Sequence, residues 1–255
     1  MPPSPVSSRA PVLRPTIFSD LPTVTVGISM RRGGVSGRPY DTLNLGRHVG
    51  DDPASVEENR RRFCAALDTD PAWLVTAGQV HGATVRPVEA PRHEPFCDGL
   101  VTTTPRLLLA IATADCAPVL LADSAAGVVG ACHAGWRGAV AGIAARTVRA
   151  MTAHGASPDA IRAYIGPCLS RAAFEVGPEV AARFDAAVVH RRAEGDKPHV
   201  DLKAALRRQL RAAGLADAHI EASGHCTLQE NDTFFSHRGS DGPTGRMFGA
   251  IVLRP

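Results

Sequence analysis

The sequence predicts an α/β protein of one domain, in which a mixed β-sheet is flanked by helices. Short, nearly continuous apolar segments alternate with Ala- and Leu-rich segments of helical period. No internal repeat recurs at a fixed period, which argues against solenoids and propellers. Hydrophobic residues make up 44% of the 255 residues, and the mean hydropathy of −0.04 is typical of soluble globular domains. We expect one domain over residues 16–255, behind a disordered Pro- and Ser-containing tail at residues 1–15.

In the first half of the chain, strand and helix signals follow one another. Residues 23–30 alternate like a strand, and the Gly-, Pro- and Asp-containing stretch 31–46 predicts a long structured loop. A loop of that length inside a compact domain is more often functional than idle. Asp52 followed by Pro53 is typical of a helix start. Segments predicted as the next strands are 107–116 and 118–135, with a turn at 123–127.

The second half repeats this alternation. Segments predicted as helices are 138–155, 178–188 and 201–214. Segments predicted as strands are 163–167, 219–226 and 247–253. Asp201 suits the N-cap of its helix, while Gly155 and Gly214 suit C-terminal stops. The alternation supports helices packed outside a sheet.

Charge and cysteine usage exclude several classes of protein. The chain has 28 Lys and Arg against 25 Asp and Glu, without a basic run interleaved with aromatics, so we expect no nucleic-acid partner. No apolar run is long enough for a membrane span, and the N-terminus lacks the apolar core of a signal peptide, so we expect a cytoplasmic protein. The six cysteines are dispersed and need no disulfide framework. Nothing in the sequence indicates an oligomeric state.

Three potential metal ligands lie beside predicted strand ends or turns: His81 in GQVHG, Cys116 in TADCAP and His133 in ACHAGWRG. Two imidazoles and one thiolate can form an open zinc site that leaves a fourth position for water or substrate. The spacing alone is not diagnostic, because a buried Cys and two backbone-bonded His are common in cores. Cys116 beside a His is also compatible with a thiolate nucleophile, and metal analysis distinguishes the two roles.

Several longer segments, in this order, resemble the YfiH-like family, which is also called the polyphenol oxidase, laccase-domain or peptidoglycan editing factor family. The matching segments are 31–60, 78–85, 97–123, 127–140, 163–180 and 232–246. The resemblance implies an α/β sandwich with a catalytic zinc on His81, Cys116 and His133, copper being a less favoured cofactor. It also implies phosphorolysis of adenosine, guanosine, inosine and methylthioadenosine, with adenosine deamination as a second activity.

Other polar residues in these segments are candidates for binding phosphate and nucleoside, the expected small-molecule partners. Arg137 lies at a predicted helix start, where anions are favoured, and Arg238 lies in SHRG. Asn44 and His48 belong to the long early loop, where they can contact substrate or cap the loop's own backbone. Asp98 can orient a ligand His as a hydrogen-bond acceptor, or simply occupy a turn.

Trp136, Phe234 and Phe235 can stack on a purine, although core packing is the commoner role of such residues. For Arg246, in TGR, a surface charge is the commoner role.

Two further functions stay open. The family's older name implies a copper polyphenol oxidase, but a multicopper oxidase needs paired HxH ligands, and none of the ten His forms such a pair. The name peptidoglycan editing factor implies a cytoplasmic enzyme that acts on a cell-wall precursor. A zinc-stabilised binding module is less favoured, because structural zinc usually has four protein ligands.

Overall fold

Two six-stranded mixed sheets form the centre of the protein. The computed structural model describes residues 10–191, 193, 195–240 and 242–255. Within them, strands β1 to β14 are, in chain order, Val12–Leu13, Val24–Ser29, Leu74–Ala77, Val85–Pro87, His93–Glu94, Gly99–Thr102, Leu108–Thr113, Ala117–Asp123, Val128–Ala134, Arg162–Ile165, Val189–His190, His199–Val200, Ile220–Ala222 and Met247–Leu253. Helices α1 to α5 are Pro53–Ala66, Trp136–Val140, Ile143–Thr152, Pro178–Ala181 and Leu202–Ala212.

The two sheets pack face to face. The first has the order β1-β2-β14-β7-β3-β5, and the second has the order β13-β10-β8-β9-β6-β4. In the first sheet, β3 pairs with β7 in parallel and β14 pairs with β7 antiparallel. In the second, β10 pairs with β13 in parallel and β8 pairs with β9 antiparallel. Ile111 and Ile251 of the first sheet share one buried apolar cluster with Leu120 and Val129 of the second. The predicted α/β class with mixed sheets is confirmed, and the sandwich contains two large sheets instead of the single one expected.

Helices cover the outer faces of both sheets. Val148 and Met151 of α3 and Leu206 of α5 pack in the cluster on the outside of the second sheet. Phe63 of α1 packs with Phe248 on the outside of the first sheet. The result is a four-layer α/β/β/α arrangement. Across the described part of the chain, no helix combines the length and the apolar character needed to cross a bilayer.

Helix boundaries follow the predicted capping residues. The Asp52 side chain accepts a hydrogen bond from Ser55 N at 2.9 Å and caps α1. Asp201 caps α5 by accepting from Ala204 N at 2.9 Å. Gly214 follows α5 with a φ of 105°, a left-handed conformation that favours glycine. These predicted caps are confirmed.

Two predicted helices differ from the structure. The helix predicted over 138–155 is divided into α2 and α3, because Gly142 between them has a φ of 78°. The helix predicted over 178–188 is only the four-residue α4, followed by a short 3-10 turn. Asp185 accepts a hydrogen bond from Ala187 N at 2.9 Å, and this local bond starts a new turn instead of continuing the helix.

The predicted disorder of residues 1–15 does not hold for residues 10–15. β1 pairs with the edge of β2, with Val12 opposite Ser29. The Arg14 guanidinium donates to Ala66 O at 2.8 Å and so attaches this segment to the end of α1. Residues 1–9 of the predicted tail lie outside the described residues.

Candidate metal centre and its cavity

Strand ends of the second sheet bring the predicted ligands together. β8 begins directly after Cys116, and its residue Pro118 lies opposite His133 of β9. β6 begins directly after Asp98 and pairs with β9 on the other side. Because β9 runs antiparallel to both strands, its end lies beside the starts of both. Cys116, His133 and Asp98 therefore meet at one end of the sheet.

The route of the chain to Cys116 differs from the prediction. The sequence predicted Cys116 as the last residue of the strand 107–116. In the structure that strand, β7, ends at Thr113 and belongs to the first sheet. Cys116 follows the crossing between sheets, and the pairing of β8 with β9 places it near His133.

His81, Cys116 and His133 each offer a ligand atom, and these atoms all lie within 4.8 Å of one another. Among the described residues, no other group of three or more His, Cys, Asp or Glu side chains has this geometry. Ligand atoms around one tetrahedral zinc lie roughly 3.3–3.8 Å apart, so small side-chain movements would suffice to close the cluster on a cation. His81 is exposed and His133 is buried, so the cluster has one solvent-facing side.

Asp98 connects two of these ligands. Its buried Oδ1 lies 2.9 Å from His133 Nδ1 and also accepts from His81 N at 2.9 Å. Its Oδ2 accepts from Gly82 N at 2.7 Å. Since a carboxylate only accepts hydrogen bonds, His133 Nδ1 carries the proton and Nε2 is left to bind a cation. Asp98 thus orients His133 and fixes the loop that carries His81.

Burial and charge act in opposite directions on the ionisable groups of the cluster. Burial alone raises the pKa of the Cys116 thiol, but hydrogen bonds from His133 and His81 lower it to about 6. Burial alone lowers the pKa of His133, but Asp98 and Cys116 raise it to about 9. Burial likewise opposes ionisation of Asp98, yet hydrogen bonds from His133 and Gly82 leave its pKa below the ordinary value. The thiolate form of Cys116, which binds metals, is therefore favoured.

Gly135 gives the three ligands room to converge. A Cβ at this position would lie 3.0 Å from Cys116 Sγ, 3.2 Å from His81 Cδ2 and 3.7 Å from His133 Cε1. Its φ of −73° is accessible to any residue, so backbone conformation does not require glycine here. Glycine is favoured here because the three ligand side chains leave little space for a Cβ atom.

The cluster opens into a cavity of about 900 Å³. The arginines that line this cavity are Arg47, Arg60, Arg238 and Arg246. Asp115 is the one Asp or Glu among the lining residues that the structure describes. A cavity with four guanidinium groups and one carboxylate favours an anionic ligand.

Asp115 brings a distant segment to the cavity, and the sequence analysis missed this role. Its Oδ1 accepts from the hydroxyls of Thr227 and Ser236, both at 2.7 Å. Its Oδ2 accepts from Arg238 N at 2.6 Å. Asp115 also has a φ of 88°, which is uncommon outside glycine and often marks a functional site. In the sequence, only its position next to Cys116 indicated that Asp115 lies near the site.

Of the four predicted substrate-binding residues, His48 and Arg238 line the cavity. Asn44 lies inside the early loop, where its Oδ1 accepts from Gly46 N at 2.9 Å, and it is not a lining residue. Arg137 is exposed, lies 4.2 Å above the Trp136 ring and is also not a lining residue. The structure therefore brings two of the four to the cavity.

The aromatic candidates divide in the same way. Trp136 lines the cavity beside Gly135. Phe234 and Phe235 are fully buried and pack with Met247 in a separate apolar cluster. The Phe pair therefore belongs to the core, and Trp136 is the one of the three that can face a ligand.

Comparison with known proteins gives one consistent family. The family model described as multi-copper polyphenol oxidoreductase laccase matches residues 25–254. A purine nucleoside phosphorylase of Mycobacterium tuberculosis is 45% identical over 226 residues, which cover 87% of this chain and 88% of the relative. Purine nucleoside phosphorylase YfiH of Escherichia coli is 42% identical over 235 residues, covering 88% and 92% of the two chains. The crystal structure of YfiH from Bacillus licheniformis has a TM-score of 0.90 at 32% identity and covers 100% of both chains. The chain belongs to the laccase-like YfiH family.

Proposed function

We propose that this protein is a zinc-dependent purine nucleoside phosphorylase that acts on adenosine, guanosine, inosine and methylthioadenosine, with adenosine deamination as a second activity. One observation carries the proposal: the donor atoms of His81, Cys116 and His133 converge beside a cationic cavity. The names of the relatives from Mycobacterium tuberculosis and Escherichia coli support the phosphorylase reaction. The deaminase activity depends on the family resemblance alone.

The donor set fits zinc. Two imidazoles and a thiolate are borderline and soft ligands, and three protein ligands are typical of catalytic zinc. Gly135 leaves the space that convergence of the three side chains needs. Zinc, when bound, supplies a Lewis acid that polarises an oxygen of the substrate. Asp98 holds His133 in the orientation for binding, and the Cys116 thiolate offsets part of the added positive charge.

Phosphorolysis requires a cavity that binds two substrates at once. A phosphate oxygen forms a bond to C1′ of the ribose, the bond from C1′ to the purine nitrogen breaks, and the released base takes up a proton. Phosphate and nucleoside must therefore lie side by side, and a volume of about 900 Å³ is within the usual range of ligand cavities. His48 and Arg238 offer polar groups for phosphate or ribose, and the Trp136 ring offers a face for the purine.

Copper oxidase chemistry is the second candidate, because the family model carries that description. A single His₂Cys cluster suits an electron-transfer copper, whereas a multicopper oxidase needs a further copper cluster. The described residues contain no second group of three donors that could form one. The zinc phosphorylase therefore accounts better for the arrangement of side chains.

Metal analysis combined with a nucleoside assay tests the proposal. We expect about one zinc per chain and phosphate-dependent release of hypoxanthine from inosine by the purified protein. Removal of all copper is expected to leave this release unchanged. A zinc-loaded sample that fails on all four nucleosides would overturn the proposal. Oxidase activity that disappears with copper, without any nucleoside activity, would favour the second candidate.

A further inference from the structure

Arg60 is a buried cation, and no carboxylate in the described part of the chain lies within ion-pair distance of it. Its side chain, on α1, lines the cavity, and the residue is only 6% exposed. Nε and Nη2 both donate to one carbonyl, Leu45 O, at 2.9 and 2.7 Å, and the guanidinium lies 5.1 Å from the Phe248 ring centroid. Nη1 has no hydrogen-bond partner among the described residues, although it is not sealed from solvent. Burial of a charge is costly unless a counter-charge is nearby, so the cavity favours an anion here.

Arg246 is a second cation attached to the same loop. It is half-buried, lines the cavity and donates from Nη1 to Thr244 O at 2.9 Å and Gly245 O at 3.0 Å. Its own carbonyl accepts from Leu45 N at 3.0 Å, while Arg60 binds the carbonyl of that same Leu45. Among the described residues, neither arginine has a carboxylate oxygen within ion-pair distance. Leu45 is therefore hydrogen-bonded both to the guanidinium group of Arg60 and to the backbone of Arg246.

The groups around Arg60 act on its charge in opposite directions, since Arg47 repels it whereas Glu57 and Cys64 favour it. Burial, and after it the like charge of Arg47, lower the pKa of Arg60 to about 10. Burial also lowers the pKa of His93, as do His48, Arg60 and Arg47. Glu57, the nearby carboxylate, forms a 2.6 Å ion pair with Arg47. Glu57 thus pairs with Arg47 and not with Arg60, so Arg60 can still pair with an anionic ligand.

We propose that Arg60 and Arg246, with the exposed His48 beside them, form a binding site for a phosphoryl oxyanion in the active-site cavity. The ligand is inorganic phosphate or the phosphate ester of a nucleotide. Guanidinium groups suit such a ligand because their planar N–H donors match the spacing of phosphate oxygens. The identification of phosphate as a co-substrate rests on the proposed phosphorylase function, but the binding site itself is tested separately.

Direct titration with inorganic phosphate tests the site without any need for turnover. The variants are Arg60→Gln and Arg246→Gln, with Arg61→Gln as the matched control. Arg61 is on the same helix, but it is exposed and paired with Glu58. We expect wild type and Arg61→Gln to bind phosphate equally, and the other two variants to bind at least about tenfold more weakly. Equal affinity in all four proteins would overturn the proposal.

A lysine variant separates charge from folding. Arg60→Lys keeps the positive charge but loses the two-pronged hydrogen bond to Leu45 O. We expect Arg60→Lys to bind phosphate more tightly than Arg60→Gln, and added phosphate to raise the melting temperature of the lysine variant more. If the lysine and glutamine variants bind equally weakly, Arg60 acts only as a clamp on the loop and the site is refuted.

Two kinetic measurements identify the source of the phosphate group. If the ligand is free phosphate, Arg60→Gln raises the phosphate KM of inosine phosphorolysis about tenfold and leaves the inosine KM unchanged. If it is an ester, inosine monophosphate binds wild type more tightly than inosine, and Arg60→Gln removes that preference. Arginine-dependent phosphate binding without phosphorolysis would overturn the proposed function and keep the site. Phosphorolysis that shows neither change would keep the function and overturn the site.

Discussion

The cavity brings together two clusters of opposite character. The metal cluster comprises His81, Cys116 and His133 with Asp98, and strand ends of one sheet hold most of it. The arginine cluster comprises Arg60, Arg246 and His48, and backbone carbonyls of loops hold its two arginines. The first offers electron pairs to a cation, whereas the second offers N–H donors to an anion.

The difference shows how one cavity can offer suitable groups to both a cation and an anion. At the metal cluster, a buried carboxylate fixes the orientation of a ligand, so loss of a single atom alters the geometry. At the arginine cluster, the two guanidinium groups donate to neutral carbonyls, and neither forms an ion pair with a described carboxylate. Substitutions in the first cluster should therefore affect metal content, and those in the second should affect anion affinity without loss of metal.

The largest effect is expected for Cys116→Ala. Removal of the thiolate leaves two imidazoles, so zinc affinity should fall by more than the roughly 10–100-fold that loss of an outer hydrogen-bond partner costs. Zinc content after dialysis and phosphorolysis of inosine measure this loss. Cys64→Ala is the control, because Cys64 is a buried residue of α1 that packs in another apolar cluster. If Cys116→Ala retains stoichiometric zinc, the metal cluster is wrongly assigned and the thiolate nucleophile is favoured.

Asp98→Asn should have the next largest effect. The isosteric amide has one acceptor oxygen and cannot satisfy three N–H donors, so His133 loses its fixed orientation. Zinc affinity should fall about 10–100-fold in competition with a chromophoric chelator.

Asp123→Asn provides the matched control for Asp98. Asp123 is also buried and accepts from the backbone N–H groups of Ala126 and Ser157. Its substitution should lower the melting temperature without a change in zinc affinity. If both variants lower zinc affinity equally, Asp98 stabilises the fold and does not orient a ligand.

Gly135→Ala should have a smaller effect on the same cluster. The added methyl group would meet Cys116 Sγ at 3.0 Å, so the ligands must separate slightly. We expect a decrease in zinc affinity of several-fold, on the order of 1 kcal/mol, with an unchanged fold. Gly224→Ala is the control, since no atom lies within 4 Å of a Cβ at that position. Equal zinc affinity in both variants would show that the cluster has more room than these distances indicate.

The sequence predicted the metal cluster far better than the arginine cluster. Residue type and spacing were not diagnostic for His81, Cys116 and His133, and the resemblance of the motifs around them to the YfiH-like family selected these three. Arg60 is one of three consecutive arginines, and residue type cannot show which of them is buried. The structure decides this, because Arg61 and Arg62 pair with Glu58 on the exposed side of α1.

Asp115 was missed for a related reason. Its hydrogen-bond partners Thr227 and Ser236 are more than 100 residues away along the chain. Local propensity reports only on near neighbours, so the strands and caps of the fold were predictable but this connection was not. The same limit explains Asn44, whose role inside the loop depends on its contact with Arg246 N.

The smallest effect is expected for Arg137→Gln, which sharpens the distinction between cavity arginines and surface arginines. Arg137 is exposed and lies 4.2 Å from the centroid of the Trp136 ring, a cation–π contact worth about 0.5–1 kcal/mol at such sites. The phosphate KM should therefore change less than about fivefold. Arg238→Gln provides the contrast, because Arg238 lines the cavity and donates to Glu175 O at 2.8 Å. Arg238→Gln should raise the KM for phosphate or inosine more than Arg137→Gln does. If Arg137→Gln has the larger effect, phosphate binds at the start of α2, as the sequence alone suggested, and the assignment of the anion to the arginine cluster fails.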